Sequence, residues 1–122
     1  MPRLVEMDRH VTLFEQMEQR AGPVILINTF TVEPEEADRL QKAWASDAAF
    51  MKRQPGFIST QLHRGIGGSS VFFNYAVWES VEDFRRAFGS PEFQAKMQDY
   101  PPSAAASPHL VEKVAVPGIC VA

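Results

Sequence analysis

The 122-residue sequence predicts an α+β domain of the ferredoxin-like, split-βαβ type, an antiparallel sheet with its helices on one face and an extra helix in front. Three observations carry that expectation. Four runs rich in β-branched and aromatic residues read as strands. Two of them, Phe57 to Arg64 and Val71 to Trp78, are joined by the glycine-rich turn Gly65-Ile66-Gly67-Gly68-Ser69 and so form a hairpin. Helical periodicity lies before and after that hairpin, which gives the order β-α-β-β-α-β.

From Arg3 to Gln19 the residues Leu4, Met7, Val11, Phe14 and Met17 recur at three- and four-residue steps, as on one stripe of an amphipathic helix. Residues 1–22 therefore read as a helical extension, closed by Ala21-Gly22-Pro23, and residues 23–122 as the main domain. Val24 to Val32 is the first strand. Pro34, tolerated at a first helical position, opens a helix with Glu35 and Glu36 near its positive end. Ala37, Leu40, Trp44, Ala48 and Met51 give that helix its buried stripe, and Gln54-Pro55-Gly56 stops it. Ser80 is a good N-cap for a helix through Phe84, Ala87 and Phe88. Gly89 breaks that helix, and Ser90-Pro91-Glu92 restarts it through Phe93 to Met97. Tyr100 to Pro108 reads as a loop rich in proline, alanine and serine, and Leu110 to Val116 as the last strand.

A hydrophobic share of 45% and a charged share of 22% are those of a globular chain. The net charge is −3 with both signs interleaved, so no basic stripe invites nucleic acid. The start carries Glu6, Asp8, Glu15 and Glu18 among its apolar residues, unlike a signal peptide, and no apolar run is long enough for a bilayer, so a cytoplasmic protein is expected. Cys120 is the only cysteine and has no partner for a disulfide. His10 and His109 lack metal-ligand spacing, and no metal site is expected. The Gly65–Gly68 turn lies between two strands and is not a dinucleotide loop, so no flavin or nicotinamide cofactor is expected.

Strand alternation places Phe72, Asn74, Ala76 and Trp78 toward the helices, and Phe73, Tyr75 and Val77 on the other face. Three large residues on an uncovered face are costly, which favours a second sheet packed on them in a homodimeric α+β barrel. On the helix side, Asn28 and Asn74 interrupt apolar strands that this topology makes neighbours, and Trp78 follows on the same side as Asn74. Buried amides need partners, so the two either satisfy each other or a backbone group, or line a cleft for a small molecule. Phe72, Phe84 and Trp44 are further candidates for the wall of that cleft, although Trp44 also reads as core on its regular stripe. His63 suits either a solvated strand face or a proton-transfer role.

The run Asn74-Tyr75-Ala76-Val77-Trp78-Glu79-Ser80 resembles the third-strand signature of antibiotic-biosynthesis monooxygenases, and Pro55-Gly56-Phe57 with His63 resembles the quinone-forming branch. The similarity extends over about Pro23 to Val116. The resemblance implies a cofactor-independent monooxygenase that oxidises an aromatic, phenolic or polyketide-like small molecule to a quinone with O2. It implies that Asn74 and Trp78 contact the substrate and polarise its phenol or enolate oxygen, and that His63 accepts or donates a proton. The family's tyrosine six residues after the tryptophan is replaced by Phe84, and Lys96 is the nearest candidate for a basic residue further on. Asn28 matches an asparagine of the haem-degrading branch, but Ala87 and Met97 stand where that branch carries a tryptophan and an axial histidine. A non-oxidative isomerase or lyase and a non-catalytic binding protein are the rival expectations on the same scaffold.

Overall fold

The alternation in Val71–Trp78 decides how the sheet faces. In a computed structural model, which describes residues 1–122, Phe72, Asn74, Ala76 and Trp78 are buried on the helix side, while Phe73, Tyr75 and Val77 are half-buried on the other. The strands are β1 (Arg3–Leu4), β2 (Val24–Thr31), β3 (Phe57–Arg64), β4 (Val71–Trp78) and β5 (Ala105–Val111). The helices are α1 (Leu13–Gln16), α2 (Ala37–Met51), α3 (Val81–Phe88) and α4 (Pro91–Lys96), with single 3-10 turns at Pro34–Glu36 and Met97–Asp99. The sheet order is β1-β5-β2-β4-β3, in which the last four are antiparallel to one another in turn and form the expected ferredoxin-like core. No helix is long and apolar enough to cross a membrane.

Helix starts follow side-chain chemistry. Ser80 and Ser90 accept from the backbone N–H groups of Asp83 and Phe93 at 3.1 and 3.2 Å, so α3 and α4 begin where the sequence places their caps. Gly56, at φ +86°, turns the chain into β3, and a Cβ there would run into the Asp83 side chain. Immediately afterwards β3 carries a bulge between Phe57 and Ser59. The bulge changes the phase of the strand, so that Phe57 faces the helices opposite Trp78 while Ser59 faces away opposite Val77.

Two expectations are corrected. The apolar stripe of Arg3–Gln19 does not make one long helix: Arg3 and Leu4 pair parallel to Ala105 and Ala106, and only Leu13–Gln16 is helical. Local polar bonds explain the difference. Asp8 accepts from the His10 N–H at 2.8 Å, Glu6 accepts from the Leu13 N–H at 3.0 Å, and Thr12 caps the one-turn helix by accepting from Glu15 N at 3.2 Å. The last strand also begins earlier and ends earlier than expected, spanning Ala105–Val111. Its first residues Ala105 and Ala106 are buried with Ala104 before them, and packing of that kind overrides a composition that reads as loop.

Pro108 is tolerated in β5 because residues 104, 106, 108 and 110 direct their backbone groups away from β2. The carbonyls of Ala104 and Ala106 bond β1 and the residue after it, whereas Pro108 has no N–H to satisfy. At Leu110 the Gln16 amide takes the place of a neighbouring strand, donating to the carbonyl at 2.8 Å and accepting from the N–H at 2.9 Å.

Candidate active site

The strand register sets two amides side by side. Asn28 of β2 is directly opposite Asn74 of β4, and both lie on the helix side. They are not equivalent. The Asn74 side-chain oxygen accepts from Thr60 Oγ1 of β3 at 2.6 Å, which leaves the NH2 end of that amide to offer to a ligand. The Asn28 side-chain oxygen is buried without a partner. Both residues line one cavity between sheet and helices.

Aromatic rings enclose the cavity. Trp78, 1% exposed, meets Phe57 edge-on at 5.4 Å between centroids and Phe84 at 5.8 Å. Phe84 continues to Phe88 at 5.5 Å, and Phe88 to Phe93 at 5.2 Å. Trp44, half-buried on α2, borders the cavity from the other side. The volume is about 50 Å³, room for a few waters, so an aromatic ligand enters only with displacement of side chains.

One ionisable group lines this apolar space. Asp47 of α2 accepts from Tyr100 Oη through Oδ2 at 2.9 Å, while its Oδ1 is buried and unpartnered. Burial pushes the Asp47 carboxyl up to about 6, against the opposing effects of the Tyr100 hydrogen bond and the Lys96 charge. Burial, with Asp47 beside it, holds Tyr100 well above the usual phenol range, so its hydroxyl remains a donor. The Lys96 ammonium donates to Ser46 Oγ at 2.9 Å.

Of the residues that line this cleft, all but Pro108 lie within the region matched by the family model for antibiotic biosynthesis monooxygenase, residues 23–99. The chain belongs to this family. Deoxynogalonate monooxygenase of Streptomyces nogalater is 38% identical over 73 residues, covering 60% of this chain and 61% of that protein. The chain thus matches about three-fifths of that relative's length. The mycobilin-producing heme oxygenase of Mycobacterium tuberculosis is 33% identical over 73 residues, covering 60% of this chain and 70% of that protein. Among solved structures, SnoaB, a cofactor-independent oxygenase from Streptomyces nogalater, superimposes with a TM-score of 0.70 at 29% identity, over 80% of this chain and 99% of that one.

Within this family fold, Asn28, Asn74, Trp78, Phe84 and Trp44 are brought together as cavity-lining residues. Phe72 and His63 are not. Phe72 is fully buried beneath the Arg64 guanidinium, 5.1 Å from its ring, and does not line the cavity. His63 pairs with Phe73, so its exposed ring lies on the opposite face of the sheet, with Nδ1 3.2 Å from the Phe73 carbonyl. Proton transfer by His63 at Asn74 therefore has no geometric basis within the chain. Composition and spacing alone do not mark Thr60, Asp47 and Tyr100 as members of the site. The signal for Asp47 was its place seven residues after Leu40 and three after Trp44, an acid on the apolar face of α2.

Proposed function

We propose that this protein is a cofactor-independent monooxygenase that converts a phenolic, polyketide-like aromatic compound to a quinone. The observation that carries the reading is the paired amides, Asn28 and Asn74, set beneath Trp78 in an otherwise apolar cavity. The family membership and the likeness to a cofactor-independent oxygenase support it.

The reaction needs no external reductant. A phenol loses its O–H proton, and the phenolate passes one electron to O2. Recombination of the radical pair forms a C–O bond to a ring carbon. The proton on that carbon passes to the outer peroxide oxygen as O–O breaks, which leaves a quinone and a departing hydroxide, and the hydroxide takes up the phenolic proton to become water. One oxygen atom ends in each product, and the substrate supplies all four electrons. The NH2 group of Asn74 donates to the developing oxyanion, and the aromatic wall excludes water and orients the ring. Such donors are worth most where a bound substrate has displaced the water from the cavity.

Haem degradation fits these residues poorly. None of the three histidines, His10, His63 and His109, lines the cavity, and Ala87 and Met97 occupy the positions where haem-degrading members carry their tryptophan and axial histidine. The homodimer belongs to the same proposal: Phe73, Tyr75 and Val77, with Ile25 and Ile27 beside them in register, form the face on which a second sheet packs.

The test is oxygen uptake on a panel of phenols and hydroxylated polycyclic aromatics in chelator-treated buffer. We expect one O2 consumed per quinone formed, with one atom of 18O2 in the product. Turnover without oxygen uptake identifies the isomerase or lyase alternative, and ligand binding without turnover identifies the binding-protein alternative.

A further inference from the structure

We infer that Asp47 is the general base of this site, taking the phenolic proton on Oδ1 while Tyr100 fixes its other oxygen. The inference rests on the oxidative reading above and names the group that starts it.

Of the residues that line the cavity, Asp47 alone is ionisable. It shares the cavity with the two amides that would hold the substrate's oxygen, because α2 carries it on the same side as Trp44 and Met51. One carboxylate oxygen is occupied by Tyr100 at 2.9 Å, and the other is buried with no hydrogen-bond partner. A carboxylate left half-satisfied in an apolar space gains more from an incoming hydroxyl than a solvated one does. Its surroundings are otherwise neutral. From β2, β3 and β4 come Asn28, Thr60 and Asn74, and from α3 come Phe84 and Phe88. Lys96 of α4 supplies the one neighbouring charge, and Tyr100 the one neighbouring titratable hydroxyl.

With its carboxyl pushed up to about 6, Asp47 is mostly ionised at neutral pH yet about 100-fold more basic than a solvated aspartate, which suits proton abstraction. The substrate O–H bond breaks, the Asp47 Oδ1–H bond forms, and the electron pair stays on the phenolate oxygen near the Asn74 NH2. When the O–O bond later breaks, the leaving hydroxide takes the proton from Asp47, and water and the free carboxylate are restored. Tyr100 stays protonated throughout as the donor that orients the carboxylate. Tyr100 is thus a positioning residue.

The experiment is an anaerobic binding titration with 1-naphthol between pH 4.5 and 8, which reads Asp47 without turnover. In the wild-type protein the affinity should rise about tenfold as pH increases through 6, and naphthalene, which lacks the hydroxyl, should show no such response. Asp47→Asn keeps an acceptor for Tyr100 and should bind 1-naphthol with no pH dependence. Tyr100→Phe removes a bond that favours the carboxylate and should move the midpoint upward. In oxygen-uptake assays, Asp47→Asn should lower kcat by about 100- to 10,000-fold, with partial recovery in Asp47→Glu. A flat wild-type titration, an unchanged response in Asp47→Asn, or no binding of 1-naphthol overturns the role of Asp47. A wild-type protein that gives the expected titration but takes up no oxygen refutes the oxidative reading and leaves Asp47 as the acceptor of the ligand's hydroxyl proton.

Discussion

Asn28 and Asn74 stand opposite each other on β2 and β4, but only Asn74 has its side-chain oxygen bonded within the protein, to Thr60 at 2.6 Å. The asymmetry separates a fixed donor from an unsatisfied acceptor. It also makes the consequences of removing each amide different.

Removing Asn28 should help the fold. Its buried, unpartnered oxygen is a liability of about 1–3 kcal/mol, and Asn28→Leu replaces it with a side chain of similar size. Chemical denaturation should show a gain of about 1 kcal/mol, together with lost activity. A clear loss of stability in this variant means that the Asn28 oxygen has a partner in solution.

Asn74 should matter to turnover more than to stability. If its NH2 binds the oxyanion, Asn74→Ala should lower kcat by about 10- to 1,000-fold. Thr60→Val, which removes only the hydroxyl that orients the amide, should lower it less. Steady-state kinetics on one phenol would decide, and equal activity in all three proteins would exclude Asn74 from the chemistry.

Asp47 should make stability depend on pH in an unusual direction. Its carboxyl rises from 3.8 in the unfolded chain to about 6 in the fold, so the folded state holds the proton more tightly. The stabilisation is complete below pH 4 and is lost as pH rises through 6. A proton held about 100-fold more tightly in the fold corresponds to about 3 kcal/mol. Asp47→Asn should therefore melt higher than wild type at pH 7 to 8, and the difference should shrink toward pH 4. A constant difference across that range would contradict the sign.

The open face of the sheet gives a prediction about assembly. Sedimentation of the wild-type protein at micromolar concentration should show a dimer, and Tyr75→Lys, which puts a charge among Phe73, Val77 and Ile27, should give monomer or aggregate. A well-folded wild-type monomer at high concentration would rule out sheet-on-sheet packing.

Much of the cavity wall was legible because strand alternation and topology act together. The alternation in β4 fixed the side of Asn74 and Trp78, and the β-α-β-β-α-β order made β2 its neighbour, which brought Asn28 alongside. His63 was ambiguous because its side depends on hairpin register and on the bulge at Phe57/Ser59, neither of which leaves a mark in composition. Asp47 and Tyr100 were hidden by distance: 53 residues apart, one stands alone as an acid on an apolar helix stripe and the other as a loop aromatic, and only their hydrogen bond makes them a unit. The N-terminal stripe shows the reverse failure. Its spacing satisfies helical periodicity, but Leu4, Met7, Val11 and Phe14 remain exposed, because capping bonds and the free edge of β5 claimed the backbone first.

The docking of Gln16 on Leu110 bears on how copies of this chain can meet. A side-chain amide that uses both backbone groups of an edge residue works as a stopper: an incoming strand would have to displace it, and at Pro108 it would find no donor. Together with the short β1 lying against Ala105 and Ala106, this closes the β5 margin to ribbon-like growth into larger sheets. Copies that approach on that side therefore meet no open ladder for strand-to-strand annealing.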